Sequence, residues 1–108
     1  LVATGGALDH LPVLSEETLT QATRERIHGL DKVVPFHMNW AAGFMRNEGL
    51  NIFGPNPTTV GHTGWGGSMA FADQAAGVSA AYVMTRQSPH LLGDPRALRL
   101  VEALYGAL

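Results

Sequence analysis

Gly61-His62-Thr63-Gly64-Trp65-Gly66-Gly67-Ser68 gathers an imidazole, a hydroxyl and several unhindered backbone amides into one short turn. Met69-Ala70-Phe71-Ala72-Asp73 follows, then Gln74-Ala75-Ala76-Gly77, then Val78-Ser79-Ala80-Ala81-Tyr82-Val83-Met84-Thr85. Two apolar runs around a small-residue turn form the pattern of a β-hairpin. The Gly-rich stretch therefore feeds a hairpin, and its density of donors equips it to bind or polarise a ligand. Asp73 is expected to fix the hairpin turn through its own backbone rather than to act as an acid or base.

Downstream, Gln87 to Gly93 reads as a loop, and Asp94-Pro95 as an N-cap and first helical position. Leu98, Val101, Leu104 and Tyr105 then recur at helical spacing and would bury one stripe against a sheet. Upstream, Asn47 to Thr59 is a loop by its Asn, Gly and Pro content. Val33 to Met45 reads as one strand with an irregular entry at Pro35, lying beside the hairpin. Ser15 with Glu16 and Glu17 opens a short helix whose face carries Leu19, Ala22 and Ile27. Leu1 to Gly6 looks like the last turn of a helix stopped by glycine, one that starts before residue 1. The sum is an α+β fold, an antiparallel sheet of three strands (a strand plus a β-hairpin) with flanking N- and C-terminal helices.

The chain has 108 residues, 45% hydrophobic and 15% charged, which suits one modest core and no more than one domain. A formal charge of −2 argues against a nucleic-acid partner, for which a clustered basic face is expected. No run approaches the roughly 18 apolar residues of a membrane helix. Without cysteine, neither a disulfide framework nor a thiolate zinc site is possible. His10, His28, His37 and His90 show no pairing at metal-ligand spacing, so no metal or other cofactor is expected and these rings read as surface or loop residues, His37 lying nearest the site. The compartment is left open.

A polar Gly-rich entry, an antiparallel hairpin and an amphipathic closing helix together resemble the C-terminal end of the serine β-lactamase and penicillin-binding-protein superfamily. Within it, the chain is most similar to class C-like hydrolases and family VIII-type carboxylesterases, in which His-Thr-Gly stands in for Lys-Thr-Gly. His62, Thr63 and Gly64 fall on that triplet, and Trp65-Gly66-Gly67 continue as in the esterase branch. Phe71-Ala72-Asp73, Tyr82-Val83-Met84 and the helix opening Leu14-Ser15-Glu16-Glu17-Thr18 also resemble that family. The superfamily draws its nucleophile and base from Ser-x-x-Lys and Tyr-x-Asn or Ser-x-Asn motifs. Neither is present: the only lysine, Lys32, has Gly29 three residues before it, and Tyr82 and Tyr105 lack the following Asn.

The resemblance thus implies that residues 1–108 are the C-terminal part of a single β-lactamase/transpeptidase-like α/β domain, incomplete and inactive without an upstream N-terminal segment. It implies a small-molecule ester or amide substrate and an acyl-enzyme formed on a serine in that segment. It also implies that the Trp65 amide is one oxyanion donor, while Gly64 and Gly66 let the backbone approach substrate without a Cβ. His62 would hydrogen-bond the catalytic network and the substrate. Because imidazole is less charged than an ammonium at neutral pH, esters or small amides are favoured over penicillins.

Blander readings stand beside these. The glycines can merely shape a bulge; His62 can pack and donate to a backbone carbonyl; Thr63 can simply prefer a strand; the Trp65 ring can cap the core rather than wall an acyl pocket. Ser68 is no nucleophile, since no Gly-x-Ser-x-Gly surrounds it. A Gly-rich phosphate loop lacks its Lys and its helix N-terminus. The rival function is a non-catalytic binding or regulatory relative that keeps the scaffold. An open sheet edge and an uncovered apolar face are expected to make the isolated chain associate.

Overall fold

The computed structural model describes residues 1–108. A two-residue ladder, β1 (Ala7–Leu8) against β2 (Leu11–Pro12), precedes helix α1 (Glu16–Thr23). Six strands follow, β3 (Ile27–Leu30), β4 (His37–Trp40), β5 (Met45–Arg46), β6 (Val60–Thr63), β7 (Met69–Asp73) and β8 (Val78–Tyr82), and α2 (Pro95–Gly106) closes the chain. The six strands form one antiparallel sheet in sequence order, with β3 and β8 at its edges. Short connections between sequential neighbours account for this meander, because antiparallel pairs need only a tight turn.

Both helices start where capping chemistry places them. Ser15 Oγ accepts from the Thr18 N–H at 3.1 Å, and Glu16 and Glu17 sit in the first turn, where the helix dipole favours acids. Asp94 Oδ1 accepts from the Arg96 N–H at 2.8 Å, with Pro95 opening α2. Residues 1–6 hold no helix. They do carry the bonds of a helix-closing Schellman motif, Gly6 N–H to Leu1 O and Gly5 N–H to Val2 O, with Gly5 at φ +67°.

Three expectations are corrected. The run from Val33 to Met45 is two strands, because the Ala41 N–H closes onto Phe44 O and Gly43 turns the chain at φ +80°. Ile27 lies on β3 and is exposed, not on the face of α1; a cap at Arg24 ends that helix. The sheet has six strands rather than three, so the Gly-rich motif enters from an interior strand.

Alternation on β7 puts Met69, Phe71 and Asp73 on one buried face. There they meet Met38, Met45, Ile52, Phe53 and, from α2, Ala97 and Val101. Phe53 is fully buried, and its ring stacks 5.9 Å from that of Phe71, which lies 6.3 Å from Tyr105. The Phe53 ring packs on bare backbone at Gly61, where a Cβ would lie 3.0 Å from its Cζ. The opposite face carries Val60 and Ala72, and there Thr20 and Thr23 of α1 line a cavity with them.

A polar knot fastens the 47–59 loop beneath the sheet. Asp73 is fully buried and accepts from Tyr105 Oη at 2.6 Å, Asn56 Nδ2 at 2.5 Å and the Ala76 N–H at 3.0 Å. The expected turn-fixing role of Asp73 is thus present, joined by two longer-range donors. Asn47, also buried, donates to Gly54 O and Asn56 O and accepts from the Phe53 N–H. Burial pushes the Asp73 pKa up, but the hydrogen bonds from Tyr105, Asn56 and Ala76 outweigh it and leave the carboxyl below its usual range. Burial, then the bond to Asp73, pushes the Tyr105 hydroxyl up to about 12.

The raised tyrosine supports the fold fully below its ordinary value of 10.0, and that support is lost as pH climbs toward about 12. The lowered aspartate supports it at neutral pH and loses its effect on acidification below the ordinary 3.8. Tyr105→Phe is expected to destabilise at pH 7 by about 1–3 kcal/mol, since it strips a donor from a buried carboxylate. The alkaline decline should flatten in the same variant. Urea unfolding at neutral and alkaline pH checks both; an unchanged alkaline slope would remove Tyr105 from the knot.

Candidate active site

His62 and Thr63 are the last two residues of β6. On one side the strand pairs with β7 throughout, His62 opposite Ala70 and Thr63 opposite Met69. On the other side β5 reaches only Val60 and Gly61. The motif strand is therefore interior at its start and unflanked by β5 at its end.

Beyond β6 the chain turns through Gly64, Trp65, Gly66 and Gly67. The Gly64 N–H donates to Ser68 O at 2.8 Å, and the Gly67 N–H returns to Gly64 O at 3.1 Å. Gly66, third in the turn, has φ +108°, the left-handed conformation that glycine supplies at this position of a type II turn. Trp65 is second, the position whose N–H a β-turn leaves outside its own bond. That N–H donates to no backbone carbonyl and to no side chain. The Trp65 ring is 74% exposed, which overturns the reading of this residue as a core cap.

His62 is exposed, and its Nδ1 lies 2.8 Å from Thr63 O. A carbonyl only accepts, so Nδ1 is the donor in this bond, and Nε2 makes no hydrogen bond within the chain. The blander expectation of a bond to a backbone carbonyl is thus met, while the other nitrogen stays available. The Trp40 ring stands 5.8 Å away, tilted by 43°. Thr63 Oγ1 makes only a long contact, 3.8 Å, to Met45 Sδ.

His62, Ala70 and Ala81 lie in register across β6, β7 and β8. The two alanines leave a trough beside the imidazole, an open cleft of about 380 Å³ that Gly64, Ser68 and Val83 also border. All the residues singled out from sequence, His62, Thr63, Gly64, Trp65 and Gly66, meet at this strand end. Chemically, the place offers an unsatisfied amide, an unpartnered imidazole nitrogen and a hydroxyl beside a trough, with no nucleophile activated by a base.

Three neighbours carry no site signal of their own in the sequence. Trp40 lies within the strand-like run 33–45, Asp94 reads as a helix cap, and the one cue for Arg96 is that an acid and an arginine two apart at a helix start can close a fork. Here Arg96 Nε and Nη2 reach Asp94 Oδ1 and Oδ2 at 3.1 and 2.7 Å. Hydrogen bonding from this guanidinium, with help from Ser88, holds the Asp94 carboxyl well below the usual carboxylate range.

Residues 1–105 match the Beta-lactamase family. A penicillin-binding-protein homologue from Caulobacter crescentus is 50% identical and superposes with a TM-score of 0.95, over 99% of this chain and 29% of its own. A family VIII carboxylesterase is 39% identical, with a TM-score of 0.92 over 99% of this chain and 29% of its own. EstA from Arthrobacter nitroguajacolicus Rue61a is 28% identical, with a TM-score of 0.75 over 89% and 25%. The chain thus spans less than a third of each of these relatives. No curated protein matches it. No helix is long and apolar enough to cross a membrane.

Proposed function

The chain belongs to the beta-lactamase family, and from that premise we propose that it is the C-terminal part of a serine hydrolase that cleaves small esters or amides through an acyl-enzyme. An upstream segment supplies the nucleophilic serine and its base. The serine oxygen attacks the substrate carbonyl, its proton passes through the base to the leaving alcohol or amine, and water then releases the acid and restores the serine. The Trp65 N–H stabilises the oxyanion of both tetrahedral stages. His62 hydrogen-bonds through Nε2 toward the leaving group or the base, and Thr63 with Gly64 and Gly66 lines the approach.

One observation carries the reading: a backbone N–H without a partner, on the exposed residue that follows Gly64 at the border of an open trough. Such amides, aimed at developing charge, supply the largest single term in acyl transfer. The carboxylesterase likeness and the histidine in place of lysine favour neutral ester substrates over penicillins.

The test is nitrophenyl-ester turnover by the full-length protein, by residues 1–108 alone, and by the full-length His62→Ala variant. The chain alone should be inert. The variant should lose at least about tenfold in kcat, since a positioned proton-handling group contributes on the order of 10²-fold or more. Full activity in His62→Ala would take the imidazole out of the mechanism. Absence of Ser-x-x-Lys and Tyr-x-Asn from the upstream coding sequence would favour the non-catalytic binding relative.

A further inference from the structure

Asp94 and Arg96 do more than a helix cap requires. A cap needs one oxygen on one backbone N–H, and Asp94 Oδ1 provides it to Arg96. The second carboxylate oxygen and the guanidinium fork face the Gly66-Gly67 peptide instead. A Cβ on Gly67 would lie 2.1 Å from Asp94 Oδ2 and 3.1 Å from Arg96 Nη2. Arg96 Nη2 stands 3.4 Å from Gly66 O, and Nη1 donates to Arg86 O at 2.8 Å. The Asp94 side chain is only 2% exposed and that of Arg96 34%.

Peptide planarity turns these contacts into a relay. Gly66 C=O and Gly67 N–H belong to one rigid plane. Its carbonyl end is held by the Ser88 N–H at 2.9 Å and by Arg96, and its N–H end donates to Gly64 O at 3.1 Å. Gly64 C=O and Trp65 N–H are the two ends of the next plane to be fixed. The direction of the Trp65 N–H is thereby set from the side chain of Asp94, through Arg96 and two peptide planes. The loop 88–90 braces the same turn through the Gly66 N–H, which donates to His90 O at 3.4 Å.

We propose that Asp94 and Arg96 are positioning residues for the oxyanion-binding amide of Trp65, a role that rests on the acyl-enzyme reading above. They touch no substrate. They hold the donor in the one orientation in which it meets developing charge.

The test uses full-length Arg96→Lys and Asp94→Asn. Lysine keeps the charge but cannot grip the carboxylate and reach Gly66 O together, and asparagine keeps the cap while losing the ion pair. Active sites are titrated by the nitrophenolate burst, so that kcat is read per competent molecule, alongside KM and the affinity of a phosphonate transition-state analogue. Misplacing a catalytic donor by about 1 Å can cost on the order of 100-fold, so kcat per site should fall about 10- to 100-fold, with analogue affinity falling in parallel. KM should stay within about twofold, because the lost contact belongs to the transition state.

A purely structural role would instead lower the melting temperature and the number of titratable sites while kcat per site stayed at the parent value; that result overturns the proposal. Should Asp94→Asn fail to fold, Arg96→Lys decides alone, its side chain lying nearer the surface. A parent protein that mass spectrometry shows to be neither acylated by the ester on rapid quench nor covalently modified by a nitrophenyl phosphonate would overturn the acyl-enzyme reading itself and the positioning role with it.

Discussion

Replacing Trp65 by proline in the full-length protein should lower kcat for a nitrophenyl ester by about 10²- to 10³-fold, the loss that follows removal of one oxyanion donor. Proline deletes both the N–H and the indole ring at this position. The amide has no internal partner to lose, and Trp65 is second in the turn closed by the Gly67 N–H on Gly64 O, the position that proline favours. Trp65→Ala separates the amide from the ring. With the ring 74% exposed, its truncation should leave kcat within about tenfold of the parent while shifting KM for bulky acyl groups. Equal losses in the two variants would assign the effect to the indole and contradict the amide role.

Phe53→Ala should cost about 3–5 kcal/mol of stability, the range for deleting a buried aromatic ring. Phe53 has no exposed surface, it is the first ring of the Phe53-Phe71-Tyr105 stack, and it supports β6 at Gly61 directly beneath the motif. The cavity would therefore open under the strand that carries His62. Urea unfolding of the full-length protein measures the effect as a shift in midpoint at constant slope. A loss under about 1 kcal/mol would mean that the ring is not the keystone of this core.

The parts of the fold that local chemistry dictates were readable from sequence. The β7-β8 hairpin follows from two apolar runs around Gln74 to Gly77, and α2 follows from Asp94-Pro95 ahead of a helical stripe. What escaped lacks a local signal. β3 holds Ile27, His28, Gly29 and Leu30, of which only Gly29 is even half-buried, so it shows no alternation between faces. The reversal between β4 and β5 is hidden because Ala41, Ala42 and Phe44 keep the composition of a strand through the turn.

The site divides in the same way. Its contiguous part, His62 to Gly66, could be named from one motif. Its supports could not: Arg96 is thirty residues from Gly66 and meets it only once β6, the turn and α2 have come together. Trp40 reaches His62 only through the pairing of β4, β5 and β6. The exposure of Trp65 goes against the usual preference of tryptophan for the interior: the ring projects from the second position of a turn whose next two residues, Gly66 and Gly67, are buried.

The most direct measurement is a crystal structure of the full-length protein after reaction with a nitrophenyl phosphonate, which leaves a tetrahedral phosphoryl group on the nucleophilic serine in the place of the reaction's oxyanion. The account predicts a phosphoryl oxygen roughly 2.7–3.1 Å from the Trp65 nitrogen, with Arg96 still seated on Asp94 and Gly66. A phosphoryl oxygen bound by other donors, with the Trp65 amide turned toward solvent or toward another protein acceptor, would contradict it.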